Sequence, residues 1–66
     1  MDTREVKDAI INKRTMVWND PDPIKGNDYT IHEIWNIDSE TAMIHYGKVG
    51  GYLSEAEVYL SELALK

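Results

Sequence analysis

The fold of this chain is decided by a stretch of ten residues, Ser54-Glu55-Ala56-Glu57-Val58-Tyr59-Leu60-Ser61-Glu62-Leu63. Its first half alternates apolar with acidic residues, which is the period of two that a half-buried strand shows. The alternation then breaks, because Leu60 and Leu63 are three residues apart. That spacing suits one turn of 3₁₀ helix, in which side chains at i and i+3 lie above one another. We therefore predict a strand, a 3₁₀ turn and a short final strand at residues 64–66, with Val58, Leu60 and Leu63 facing the interior.

Three further segments are typical of strands. Residues 15–19, 29–37 and 41–46 are rich in β-branched and aromatic side chains, and Pro, Gly, Asn and Asp separate them. In the longest of them, strict alternation would bury Glu33 and expose Ile34, so we expect a bulge or a sharp bend at this point. Five short strands within about fifty residues predict a mainly β fold, a small SH3-like, partly open barrel.

A short amphipathic helix is predicted over residues 3–14, because Val6 and Ile10 lie on one stripe at helical spacing. Asp2 is the predicted N-cap, and Glu5 three residues later completes the spacing of a capping box. Two cations stand at the end of the range, where the helix dipole favours them. We expect this helix to cover one open end of the barrel; a partner-binding arm is the alternative.

The length and composition of the chain limit its organisation. Sixty-six residues suffice for one domain, which we place at 1–66, with the helix at 3–14 and the barrel at 15–66. The chain has no cysteine, so it has neither a disulfide nor a thiolate metal site. Its first residues are charged, and no apolar stretch approaches the roughly 20 residues that cross a bilayer. We expect a cytoplasmic protein without a membrane partner.

The net charge of −5 bears on the choice of partner. An excess of carboxylates opposes contact with a phosphate backbone, which needs clustered Lys and Arg, so direct nucleic-acid binding is not expected. An acidic protein can still act beside nucleic acid, as a DNA mimic or as a regulator encoded on a mobile element. We keep this acidic accessory protein as the alternative function.

No residue pattern in the chain indicates catalysis. A calcium loop starting at Asp20 fails the EF-hand template, because its sixth position is Lys25 and its twelfth is Ile31. The histidines His32 and His45 lie on neighbouring predicted strands, but their spacing has no metal-site signature. Phosphate loops, dinucleotide fingerprints and nucleophile elbows are absent from the sequence. We therefore expect no enzyme activity, no cofactor and no metal.

The best candidate for function is an aromatic surface beside an acidic loop. Trp18, Trp35 and Tyr59 are predicted to reach one side of the barrel, next to Asp20 and Asp22. Such a surface binds peptides in SH3-like folds, and the acidic sign suits capture of Lys or Arg by cation–π contact. The same aromatic side chains could instead form the core, and for Trp18 a buried or half-buried position is favoured, because a protein this small needs its largest side chains for burial. The leading prediction is a non-enzymatic module that binds a protein or peptide; its oligomeric state stays open.

Two stretches together resemble a known group of proteins. Val17-Trp18-Asn19-Asp20-Pro21-Asp22 and the ten residues 54–63 are similar to small Bacteroidetes-type bacterial proteins of uncharacterised function with an SH3-like domain. The resemblance covers about residues 15–63 and omits the helix. It implies an SH3-like barrel that stands alone, and it carries no catalytic residue to this chain.

Overall fold

The computed structural model describes residues 1–21, 28–47 and 53–66 of the chain. The bounds of its elements are α1 Thr3–Ile11, β1 Met16–Asn19, β2 Asp28–Trp35, β3 Thr41–Gly47, β4 Leu53–Tyr59, a 3₁₀ turn Leu60–Glu62 and β5 Leu63–Leu65. Most of the predicted loop after β1, Asp22 included, and the glycine-rich connection between β3 and β4 lie outside the described residues.

The five strands form one antiparallel sheet in the order β4-β3-β2-β1-β5. Strand β2 serves both halves of this sheet, since its first residues pair with β1 and its last residues pair with β3. The short β5 pairs with the other side of β1. The described residues therefore form the mainly β, SH3-like, partly open barrel with a short N-terminal helix that the sequence predicts.

The predicted bulge in β2 is confirmed. The pairing of β2 with β3 shifts its register between Ile31 and Glu33. Beyond the shift, Ile34 is opposite the buried Ile44, and Trp35 is opposite Met43. One extra residue thus keeps Glu33 off the core and lets Ile34 pack against it.

The core lies between the bent sheet and helix α1. Its buried residues come from the helix, from four of the strands and from the 3₁₀ turn, and they are Val6, Ala9, Met16, Trp18, Ala42, Ile44, Tyr46, Val58, Leu60 and Leu63. The predicted inward positions of the tail, Val58, Leu60 and Leu63, are all buried. The ten-residue stretch therefore forms one wall of the barrel and then turns, as its spacing indicates.

Helix α1 begins as predicted, but its buried stripe is narrower than the stripe of apolar residues in the sequence. The carboxylate of Asp2 accepts the N–H of Glu5 at 2.8 Å, and the N–H of Asp2 donates to the Glu5 carboxylate at 3.2 Å, which is the reciprocal pairing of a capping box. Val6 and Ala9 are buried, whereas Ile10 is 42 % exposed. In the described part of the chain, no helix has the length and apolar character to cross a bilayer.

The end of α1 differs from the prediction: the helix stops at Ile11, and not at Arg14. Lys13 has a φ of 53°, the left-handed conformation that ends many helices. Its N–H donates to the carbonyl of Ile10 at 3.1 Å, and the N–H of Arg14 donates to the carbonyl of Ala9 at 2.8 Å. These two bonds form a Schellman motif, so the two cations follow the helix and do not belong to its last turn.

A carboxylate fastens the 3₁₀ turn to strand β1. Oε1 of Glu62 accepts the indole N–H of Trp18 at 3.2 Å and the backbone N–H of Tyr59 at 3.3 Å. The N–H of Leu60 donates to the carbonyl of Glu40 at 2.8 Å, which holds the same turn to the start of β3. The turn is thus bonded to both halves of the barrel.

Asp38 organises the turn between β2 and β3. Its Oδ1 accepts the backbone N–H groups of Thr41 at 2.7 Å and Glu40 at 2.8 Å, and its Oδ2 accepts the Thr41 hydroxyl at 3.0 Å. Its carbonyl accepts the hydroxyl of Thr3 at 2.7 Å, which ties the turn to helix α1. The N–H donors, that of Thr41 first, hold the pKa of Asp38 below its ordinary value.

The lowered pKa of Asp38 predicts a loss of stability in acid. A carboxyl whose pKa is lower in the folded protein stabilises it above the unfolded pKa, and this contribution disappears as the pH falls through the folded pKa. We expect Asp38→Asn to lower the Tm at neutral pH, and the difference from the wild type to shrink in strong acid. Melting curves over a pH series measure this, with Asp8→Asn as the control. A difference that stays constant with pH would contradict the assignment.

Candidate functional site

The site that the described residues form is the outward face of strands β2, β3 and β4. Along β3, buried residues alternate with half-buried ones, so Thr41, Met43 and His45 point away from the core. The register places their neighbours on β2 and β4 in rows across the sheet. One row is Glu33, His45 and Glu55, the next is Trp35, Met43 and Glu57, and the last pairs Thr41 with Tyr59.

His45 stands at the centre of the first row between two carboxylates. Its Nδ1 lies 3.7 Å from the Glu33 carboxylate, and its Nε2 lies 3.3 Å from the Glu55 carboxylate. Both glutamate side chains are more than half exposed, whereas the imidazole is about one-third exposed. The ring therefore occupies the middle strand and holds an acidic side chain on each flank.

Trp35 is packed against the same imidazole. The two ring centroids are 4.7 Å apart and the planes meet at 62°, an edge-to-face arrangement. Trp35 is half-buried, so part of the indole stays open to solvent beside Met43. The contact with His45 fixes the indole on the outward face of the sheet.

The last two rows complete a surface that is both acidic and apolar. Glu57 is exposed, and its carboxylate forms no hydrogen bond or ion pair with the described part of the chain. Tyr59 is 59 % exposed at the end of β4. We call the set Glu33, Trp35, Met43, His45, Glu55, Glu57 and Tyr59 the outer face. It combines three carboxylates with two aromatic rings and a flexible thioether, which suit a cationic side chain on an extended chain.

The predicted site residues divide between two environments. Trp35 and Tyr59 lie on the outer face, separated by strand β3. Trp18 lies inside the barrel and is 9 % exposed, with its ring centroid 4.9 Å from that of Tyr46. Asp20 is half-buried just beyond the end of β1. Asp22 lies outside the described residues, so the structure locates four of the five predicted side chains.

Trp18 belongs to a cluster of three aromatic rings in the core. Its centroid is 5.7 Å from that of Tyr29, and the centroids of Tyr29 and Tyr46 are 5.0 Å apart. The indole N–H of Trp18 is bonded to Glu62. The structure thus places Trp18 in the core, the position that the sequence favours for it, and not beside Trp35 and Tyr59 in a shared aromatic surface.

The sequence did not reveal the grouping around His45. In the sequence, Glu33 indicates the bulge, His45 is a histidine without a metal-site signature, and Glu55 and Glu57 belong to the alternation of a half-buried strand. The alternation of β3 marks Met43 and His45 as outward, but their neighbours follow from the register between strands. Among the described residues, no group of three or more His, Asp or Glu side chains is placed to hold a metal ion.

Comparisons with protein-family models, with curated proteins and with solved structures find no match to this chain. The resemblance to small bacterial SH3-like proteins stays a prediction.

Proposed function

We propose that this protein is a non-enzymatic interaction module whose outer face binds an extended, lysine- or arginine-bearing segment of another protein. The observation that carries the proposal is the indole of Trp35, held against His45 in a surface that contains Glu33, Glu55 and Glu57. A cation over an aromatic ring gains about 0.5–2 kcal/mol, and the neighbouring carboxylates attract the same cation. The proposal includes the cytoplasmic location expected from the sequence.

The geometry of the outer face supports an extended ligand. Glu55 and Glu57 are alternate residues of one strand, so their Cα atoms are about 7 Å apart along it. In an extended peptide, side chains on one face repeat at the same interval. Two cations at alternate positions of the peptide can therefore contact Glu55 and Glu57 together. Another side chain of the peptide contacts Met43 on β3 and Tyr59 at the end of β4.

The test measures binding of a peptide of about eight residues that alternates lysine and valine. Calorimetry gives the affinity, and NMR of the labelled protein shows which residues the peptide contacts. We expect saturable shifts at Trp35, His45 and Glu57, and Trp35→Ala should weaken binding about tenfold because the ring is removed. Trp35→Phe retains an aromatic face and should retain most of the affinity.

Thermal melting of both Trp35 variants shows that they are folded at the temperature of measurement. A folded Trp35→Ala variant with unchanged affinity would refute the outer face as the binding site. A peptide that alternates glutamate and valine should leave His45 and Glu57 unshifted, and equal shifts of these two residues with both peptides would refute the proposed partner chemistry.

A further inference from the structure

A second surface lies along the edge of β2, beside the end of helix α1. An open cavity of about 600 Å³ separates the two elements. Ile10, Lys13 and Arg14 line it from the helix end, and residues 30–35 line it from the strand. The exposed part of Ile10, which the sequence predicted to be buried, faces this groove.

The strand edge in this groove lacks a partner strand. Strand β1 pairs with β2 only as far as Thr30, where it is opposite Val17. Strand β3 continues on the other side of β2 to Trp35. Within the described ranges, residues 32–35 therefore have a neighbouring strand on one side only. An unpaired edge presents backbone N–H and C=O groups to another extended chain.

Two cations stand opposite this edge. The Schellman motif fixes the backbone of Lys13 and Arg14 beyond the helix, and both side chains are exposed. Neither side chain forms a hydrogen bond or ion pair with the described residues. Glu33 is the single carboxylate among the described lining residues, and it lies against His45. The free charge in the groove is therefore positive, opposite in sign to the outer face.

We infer that this groove binds an extended acidic segment of another protein. The segment adds as a strand on residues 32–35, its backbone pairs with the free edge, and its carboxylates meet Lys13 and Arg14. An apolar side chain on the segment packs against Ile10. The charge of the two cations selects an acidic partner, and strand addition selects an extended one. The groove shares Glu33 and Trp35 with the margin of the outer face, but its two cations and its free strand edge lie outside that face, and the inference does not depend on the proposed function.

The experiment titrates the labelled protein with a peptide of about eight residues that alternates glutamate and valine. We expect saturable NMR shifts at residues 13–16 and 32–35, together with slower hydrogen exchange of backbone amides at 32–35. Lys13→Glu/Arg14→Glu should weaken binding about tenfold, since two attractive charges become repulsive. The control, Arg4→Glu/Lys7→Glu, changes the net charge equally on α1, outside the groove, and should bind like the wild type.

Several results would overturn the inference. One is no saturable binding of the glutamate peptide; another is binding whose shifts map away from the groove. Equal weakening in both double variants would show an effect of net charge only. A monomer–dimer equilibrium that shifts the amides of residues 32–35 without any peptide would assign the groove to a second copy of the chain. Loss of lysine-peptide binding leaves this result unaffected, because that peptide reports on the outer face.

Discussion

Replacement of Ile44 by alanine is expected to lower the free energy of unfolding by about 2–5 kcal/mol. Ile44 is fully buried in the middle of β3, opposite Ile34 on β2 and Ala56 on β4. Its truncation removes apolar contacts and leaves a cavity. Strand β3 is paired with β2 on one side and β4 on the other, so it cannot move to close this cavity. Stability of a domain this small is about 3–10 kcal/mol, so the variant should be partly unfolded near 37 °C.

Ile11 provides a matched control for this prediction. It is the last residue of α1 and is 76 % exposed, so Ile11→Ala makes the same chemical change outside the core. We expect it to alter the free energy of unfolding by no more than about 0.5 kcal/mol. Urea denaturation followed by tryptophan fluorescence measures both variants. Similar losses at the two positions would show that the core is not organised around β3.

Reversal of the charges on β4 is expected to weaken binding of the lysine–valine peptide strongly. Glu55→Lys/Glu57→Lys replaces two exposed carboxylates with cations, which would repel the ligand in place of attracting it. We expect the affinity to fall about a hundredfold, which corresponds to about 2.7 kcal/mol. Because both side chains are exposed, the Tm should change little. Calorimetry of the variant and the wild type measures the loss.

The control for this reversal changes the net charge by the same amount elsewhere. Asp8→Lys/Asp28→Lys also takes the chain from −5 to −1, since each change adds two charges, and it leaves the outer face intact. Its affinity should stay near that of the wild type. An equal loss in both double variants, together with collapse of binding in salt and no effect of Trp35→Ala, would favour the alternative function of an acidic mimic.

The sequence predicts the elements of this fold well, because each carries a local signal. The alternation in β3 and β4 specifies which residues face the core, and the pair Asp2 and Glu5 marks the start of α1. The conflict between Glu33 and Ile34 in β2 predicts the bulge. These features depend on residues close in sequence, and the structure confirms them.

Features set by pairing between distant segments could not be predicted in the same way. The neighbours of His45 depend on the register of β3 against β2 and β4, and a slip of one residue would exchange the two faces of a strand. The end of α1 depends on Lys13 in a left-handed conformation, where glycine is the usual signal. Nothing local marks Glu62 as the acceptor for the indole of Trp18.

The bulge in β2 has a consequence for curvature. Residue 32 is the one that has no partner in the register with β3. The residues around it, Ile31, Glu33, Ile34 and Trp35, point alternately to the inner and the outer face of the sheet. The bulge therefore keeps Glu33, Ile34 and Trp35 in phase with β3, and it also changes the direction of the strand. A straight ladder would keep both ends of the strand in one plane, and the mouth of the barrel would open out into a flat ribbon.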